Sequence, residues 1–456
     1  MNTSGPDPSS ATPLHSDGSG RQARFSSGFA GWLAMVGVAV GLGNIWRFPY
    51  MMGSYGGSAF LLLYLLFALA LAAPLLSAEW GLGRATGSGP IGAYRRVLGH
   101  RTGTALGLVL VISMLIANSY YLVVIAQIVY SAGFAITPGY AAEHIDHYRA
   151  GLGNGIGQYG IALILLGLAG WVLWRGVRRG IEAVSRVLVP VFGLAMLGLV
   201  GFALSLDGAL DRLADFLRPD FSRLGPTEVF AALGQAFFSI GVGGTIMIAY
   251  GRFLGPSISL PKTAVATALG DTAAALAAAL FLVPAVLHFG LDLDSGPGLL
   301  FDTLPRVFSE MPFGNGVAVV FLAAVTLVAF LSALAALTVC ASGVADLWPR
   351  LSESNRAIAL VVLLEALLIW PSAHDPALIG ILDLIFGSGM QIFGALVAVI
   401  AFAWALDRTN ALTQAGITGR AGLVWRFWLR YAIPAVLFLV LALYAHAHVF
   451  DPGVTP

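Results

Sequence analysis

The sequence predicts an all-α integral membrane protein of about eleven transmembrane helices, and three observations carry that reading. Of the 456 residues, 58% are apolar and only 10% charged, where a soluble domain carries about 25% charged residues. The apolar runs are long and free of charge, as from Phe60 to Ala78 and from Leu106 to Ala117, and a span needs roughly 20 such residues. They also lack the every-second-residue alternation of a barrel strand. Lipid offers no water to satisfy a backbone, so helices are what remains.

Charged or Pro/Gly-rich breaks divide the chain into spans near 29–52, 58–83, 103–135, 157–175, 181–206, 225–254, 260–291, 313–347, 354–370, 378–405 and 423–448. Lys and Arg then set the orientation. With the N-terminus inside, eighteen fall on the cytoplasmic side, among them Arg84, Arg95, Arg96, Arg178, Arg179 and Arg252. Only Arg149, Arg212, Arg218, Arg223 and Arg306 fall outside, and Arg47 alone lies within a span. An odd count of spans leaves the C-terminus outside. Residues 1–24, rich in Ser, Gly, Pro and Asp, read as a disordered cytoplasmic tail and not as a signal peptide. Residues 449–456 read as a short external tail. The single Cys340 rules out an intrachain disulfide framework. A net charge of +1 gives no sign of a nucleic-acid partner.

Two spans are interrupted. The first holds Gly37, Gly41 and Gly43 ahead of Asn44, and the sixth holds Gly241, Gly243 and Gly244 between Ser239 and Thr245. Glycine costs a helix about 1 kcal/mol relative to alanine, so such clusters invite unwinding. At membrane depth that is tolerated only where the backbone lines a cavity or is buried in protein. Freed carbonyls suit a cation, and the restarted helix suits an anionic group. Small residues also serve close helix packing, but two breaks five spans apart point to a transporter binding site.

The residues carry a resemblance as well. Gly41 to Tyr50, followed by Gly56 to Phe60, is similar to the signature of the neurotransmitter:sodium symporter family. The likeness continues at Pro74, Glu79 to Arg84, Ser119 to Tyr121, Gly234 to Ser239 and Asp383 to Met390, so it covers nearly the whole chain. Eleven spans resemble the bacterial branch. The resemblance implies a LeuT-like fold of two inverted five-helix repeats, about 25–206 and 225–405, with an extra helix at about 423–448. It implies sodium-coupled uptake by alternating access in the inner membrane of a bacterium, by a monomer or homodimer.

It also implies roles. A first sodium would meet the Ala39 carbonyl, Asn44, Ser239 and Asp271; a carboxylate within a span is a functional hypothesis in its own right. A second would meet the carbonyls of Gly37, Val40 and Ala329, with Ser332. There the family's second hydroxyl or acidic ligand falls on Ala333, which leaves one or two ions open and Thr338 as a substitute. Gly41 stands where monoamine carriers place an aspartate, leaving room for a substrate that brings its own carboxylate. That carboxylate would meet the first sodium, the amides of Leu42 and Gly43, and the Tyr121 hydroxyl. Val38, Ala117, Tyr121, Phe238, Gly241, Gly244 and Ala333 would line a roomy apolar pocket, suited to a bulky neutral amino acid, aromatic or large aliphatic. Arg47 and Asp383 would form an outer gate, and Arg24 (or Arg21) with Asp346 an inner latch. Tyr64, Gln235 and Ser239 match a chloride site, but its closing serine falls on Ala275, so chloride is not expected to be required.

Two functions stand from the sequence: a sodium-coupled amino-acid carrier, and a non-transporting membrane receptor of the same fold, which the thin second sodium site would favour. An enzyme is not expected, since no HExxH, GxSxG or P-loop occurs. The GxGxxG at Gly155–Gly160 follows no strand. His446 and His448 read as residues of the membrane surface.

Overall fold

The computed structural model describes residues 16–17, 21–22, 24–243, 245–291, 298–352, 355–416 and 419–446. Among these, nine helices are long and apolar enough to cross a membrane: Ser58–Thr86, His100–Ile136, Gly155–Trp174, Val177–Leu204, Leu260–His288, Gly314–Leu347, Arg356–His374, Ala377–Ala405 and Gly422–Ala445. A further one is a bent pair, Gly28–Ala39 and Gly43–Ser54, whose halves meet at 64°. The predicted sixth span is a second broken pair, Pro226–Ile240 and Ile246–Gly251. Neither half is long enough to cross alone, so length and composition by themselves miss it. Every predicted span coincides with one of these elements. Residues 449–456, Gly244 and His448 lie outside the described residues, as does most of the predicted tail 1–24. The described residues of that tail, Ser16–Asp17 and Arg21–Gln22, pair antiparallel.

The helix His100–Ile136 has 37 residues, about 56 Å at 1.5 Å per residue, and therefore overshoots a bilayer core. It lies along Gly314–Leu347, which in turn packs against Gly28–Ala39 of the first broken span and Ile246–Gly251 of the sixth. Small residues set how closely the backbones meet. Gly83 of the second span lies directly against the carbonyl of Ile248 in the sixth, and Gly251 of the sixth against the backbone of Trp80 in the second, where any side chain would collide. Outward-facing apolar residues recur at helical spacing, as with Leu62 and Leu66 at 56% and 58% exposed and Leu194 and Leu197 at 70% and 67%. Exposed leucines in such number suit lipid, not water.

Short helices outside the spans went unpredicted: Pro90–Leu98, Ile145–Leu152, Ala209–Phe216 and Leu304–Glu310. Each is too short for a search by hydropathy to register.

Candidate functional site

The first span stops where the sequence predicts. The Val40 amide still donates to Val36 O at 2.8 Å, and Gly41 and Leu42 break the ladder before a wide π-type turn over Gly43–Arg47 restarts it. Asn44 folds back across the break: its Oδ1 accepts from the Gly41 amide at 2.9 Å. Its Nδ2 donates to Ser239 Oγ at 2.9 Å and to Asp271 Oδ1 at 2.7 Å. The sixth span breaks through three left-handed residues, Gly241 (φ 70°), Gly243 (φ 89°) and Thr245 (φ 62°).

Asp271 lies at the meeting point of these breaks and is fully buried. Its Oδ2 accepts from Ser239 Oγ at 2.6 Å and from Tyr64 OH at 3.1 Å. All its partners are neutral, and no described Lys or Arg forms an ion pair with it. A buried carboxylate held only by neutral donors keeps its negative field, and hard oxygen ligands with a net charge suit a small hard cation. Of the predicted chloride ligands, Tyr64 and Ser239 are thus turned to the carboxylate, Gln235 Nε2 donates to Gly43 O at 3.2 Å, and Ala275 is buried.

The predicted second ion site is a meeting of the first and eighth spans. Ser332 Oγ lies 3.2 Å from Val38 O, 3.4 Å from Val40 O and 3.4 Å from Val328 O. Gly37 and Ala329 flank it and are buried. Thr338, the alternative hydroxyl, bonds Leu334 O at 2.8 Å, one turn back along its own helix. Ser332 is therefore the side-chain oxygen described at this place, and Ser332→Ala is expected to weaken the sodium dependence of transport about tenfold, roughly 1.4 kcal/mol. A sodium titration of uptake checks this.

A cavity of 180 Å³ opens between the breaks. For scale, an apolar cavity of about 150 Å³ holds benzene. Val38, Ala39, Leu42, Gly43, Ala117, Tyr121, Phe238, Ser239 and Gly241 from the expected substrate set line it, and Asn44 from the expected first ion site does so as well. A side chain on Gly41 would meet Ser332 Oγ at 3.3 Å and Tyr121 OH at 3.5 Å, so all three converge on one spot. Ala333, expected in the lining, is not among the residues around the cavity, where the eighth span contributes Ser332 and Ala336. Residues four apart share a helix face and the next one does not. Leu110, Ser113, Met114, Asn118, Tyr120, Ile246, Phe386, Met390 and Gln391 also line it and were not foreseen. The third-span set repeats at three and four residues back from Tyr121, a stripe that was there to be read.

The predicted gates stand differently. Arg47 lies over the Phe238 ring at 4.8 Å, while Asp383 accepts from Tyr120 OH at 3.1 Å. The two form no ion pair among those described. At the predicted inner latch, Arg24 and Asp346 form no ion pair among those described. The Asp346 carboxylate accepts from the amides of Gly89 and Gly92 at 3.2 and 2.8 Å, capping the helix Pro90–Leu98, where a negative charge is favoured. Arg24 instead offers its carbonyl to Arg178 at 2.9 Å. The segment is held by Ser26, whose amide and hydroxyl donate to Glu182 at 2.8 and 2.5 Å, and by Phe25 against Phe253 and Tyr250.

Glu79 is a further residue that the sequence named without a role. Its buried carboxylate takes the Gly243 amide at 2.7 Å, tying the second span to the unwound part of the sixth. Its signal was a carboxylate within a span.

A polytopic helical protein with two unwound spans around a central cavity, and a carboxylate beside them, is by class a secondary transporter of the LeuT fold. The comparisons agree. A family model described as the sodium:neurotransmitter symporter family matches residues 22–148 and 139–450. An uncharacterized sodium-dependent transporter of Bacillus subtilis, YhdH, is 30% identical over 425 residues, 90% of this chain and 94% of the relative. Another from Methanocaldococcus jannaschii is 30% identical over 450 residues, 92% of this chain and 89% of the relative. The crystal structure of MhsT in complex with L-phenylalanine aligns with a TM-score of 0.82 at 30% identity, over 93% of this chain and 100% of that one. The chain belongs to the sodium:neurotransmitter symporter family, a family of sodium-dependent membrane transporters and not of enzymes.

Proposed function

We propose that this chain carries a bulky neutral amino acid, hydrophobic or aromatic, into a bacterial cell together with sodium. One observation carries the reading: the Asp271 carboxylate stands buried among Asn44, Ser239 and Tyr64 with neutral partners alone, next to an apolar cavity sized for a ring. Sodium at Asp271 and Asn44 would neutralise that charge and face the substrate carboxylate. The restarted helix at Gly43 and the Tyr121 hydroxyl would hold the same carboxylate from its other side. That MhsT is described with L-phenylalanine supports an aromatic substrate. The lining offers no Lys or Arg for an acidic side chain.

Sodium would bind at the first site, with a second ion at Ser332. Chloride would be dispensable, because Tyr64 and Ser239 already serve a fixed carboxylate. The parted Arg47 and Asp383 would close over bound substrate, completing alternating access. The chain would sit in the inner membrane with its N-terminus inside, as monomer or homodimer.

The test is uptake of labelled tryptophan, tyrosine, phenylalanine, leucine and glycine into proteoliposomes, with an inward sodium gradient or potassium in its place. Sodium-driven accumulation of a bulky amino acid is expected. Binding without accumulation would overturn the carrier reading. Tyr121→Phe is expected to raise KM about 10- to 100-fold, because a hydrogen bond to a charged group contributes about 1.5–3 kcal/mol. Initial-rate kinetics on the best substrate check it.

A further inference from the structure

One polar side chain at the cavity, with a buried partner behind it, is left unused by the ion and carboxylate sites. Asn118, on the third span, lines the cavity and is 2% exposed. Its Nδ2 donates to Glu365 Oε1 at 3.0 Å. Glu365 comes from the ninth span, Arg356–His374, and is fully buried. The other atom of each group has no partner: Asn118 Oδ1 and Glu365 Oε2 are both buried and unbonded. No described Lys or Arg pairs with this carboxylate.

Buried polar atoms are almost always hydrogen-bonded, and leaving one unpaired is costly. An asparagine among apolar neighbours such as Met114, Ala117 and Ala336 therefore calls for a partner. Glu365 decides which end of the amide is free. Its Oε1 takes one N–H of Nδ2, and Oδ1 is the amide atom left without a bond. A leftover amide oxygen accepts hydrogen bonds and donates none.

We propose that Asn118 Oδ1 is a specificity determinant that accepts a hydrogen bond from the distal end of the substrate side chain, with Glu365 as the positioning residue that fixes its orientation. The favoured substrates are aromatic amino acids bearing a donor, an indole N–H or a phenol O–H, over phenylalanine and leucine. This rests on the amino-acid carrier reading above and narrows it. Sites built around a hydrogen bond discriminate strongly against analogues that lack the group, because the site's polar atom is then left unpaired.

The experiment is competition against sodium-driven uptake in proteoliposomes by tryptophan, N1-methyltryptophan, tyrosine, phenylalanine and leucine. With the parent protein, tryptophan or tyrosine is expected to compete about 10-fold or more better than phenylalanine. Blocking the indole N–H with a methyl group is expected to remove the advantage of tryptophan. This arm needs no variant, so misfolding cannot obscure it. Asn118→Ala is expected to bring the preference of tryptophan or tyrosine over phenylalanine close to one, whichever way absolute rates move. Glu365→Leu should do the same, while Glu365→Gln, whose carbonyl still accepts from Nδ2, should keep the preference. Equal competition by phenylalanine and by the donor-bearing amino acids in the parent would overturn this inference alone, as would an unchanged preference in Asn118→Ala. Failure of every amino acid to accumulate with sodium would overturn the carrier reading and this inference with it.

Discussion

Asp271→Asn is expected to cut sodium-driven uptake at least about 100-fold at sodium concentrations that saturate the parent, a loss of roughly 3 kcal/mol or more. The substitution changes charge with little change of shape. Asp271 Oδ1 faces the Asn44 amide nitrogen, and Oδ2 faces the hydroxyls of Ser239 and Tyr64. An asparagine oriented with its oxygen toward Asn44 keeps that bond. Its nitrogen then faces two hydroxyls, which rotate to accept as readily as to donate. The helix packing therefore survives, and removing an uncompensated buried charge is neutral or stabilising. What disappears is the negative field, which at close range in a low-dielectric site contributes several kcal/mol to cation binding. A sodium titration of uptake, with thermal stability followed alongside, separates the two effects. Unchanged sodium dependence in a folded Asp271→Asn protein would show that the cation binds elsewhere.

The same residue marks what a sequence discloses and what it withholds. Asp271 was legible because a carboxylate in an apolar run has few benign explanations, and the breaks at Gly41 and Gly243 because clustered glycines stand out against helical propensity. These are local signals. Partner choice is not local. Asn118 and Glu365 meet across 247 positions, and nothing near either residue announces the other. Asp346 illustrates the same limit. Its charge suggested a latch with Arg24, but the start of the helix Pro90–Leu98 lies closer and offers two amides. That helix was itself too short to be seen by hydropathy. The eighth span shows how much one residue matters: Ala333 was expected on the pocket wall, while the face turned to the cavity carries Ser332 and Ala336. A one-residue step rotates a helical side chain by about 100°, enough to move it from a binding wall into the packing behind.

Gly243→Ala is expected to abolish transport, with uptake down at least about 100-fold, and to lower thermal stability or prevent folding. Two constraints meet at this residue. Its φ of 89° lies in the region that glycine visits freely and other residues reach only at a cost of about 1–3 kcal/mol. A Cβ there would also run into the carbonyl of Gln391 and approach the Ala395 amide at 2.9 Å. Both obstacles are backbone of the tenth span, so no side-chain rotation relieves them. The remaining response is to push the sixth and tenth spans apart. That would also pull the Gly243 amide away from Glu79, which holds it at 2.7 Å, and leave a buried carboxylate without its donor. Gly234 provides the contrast, since it lies in the same broken span and in the stretch that resembles the family. It is helical and has open space around its missing side chain, so Gly234→Ala is expected to keep uptake and to gain up to about 1 kcal/mol of stability from helix propensity. Melting curves and uptake for the two variants, measured side by side, test whether conformation and contact at residue 243 matter, or glycine content alone. Parental stability and uptake in Gly243→Ala would mean that the unwound segment has slack which this geometry denies it.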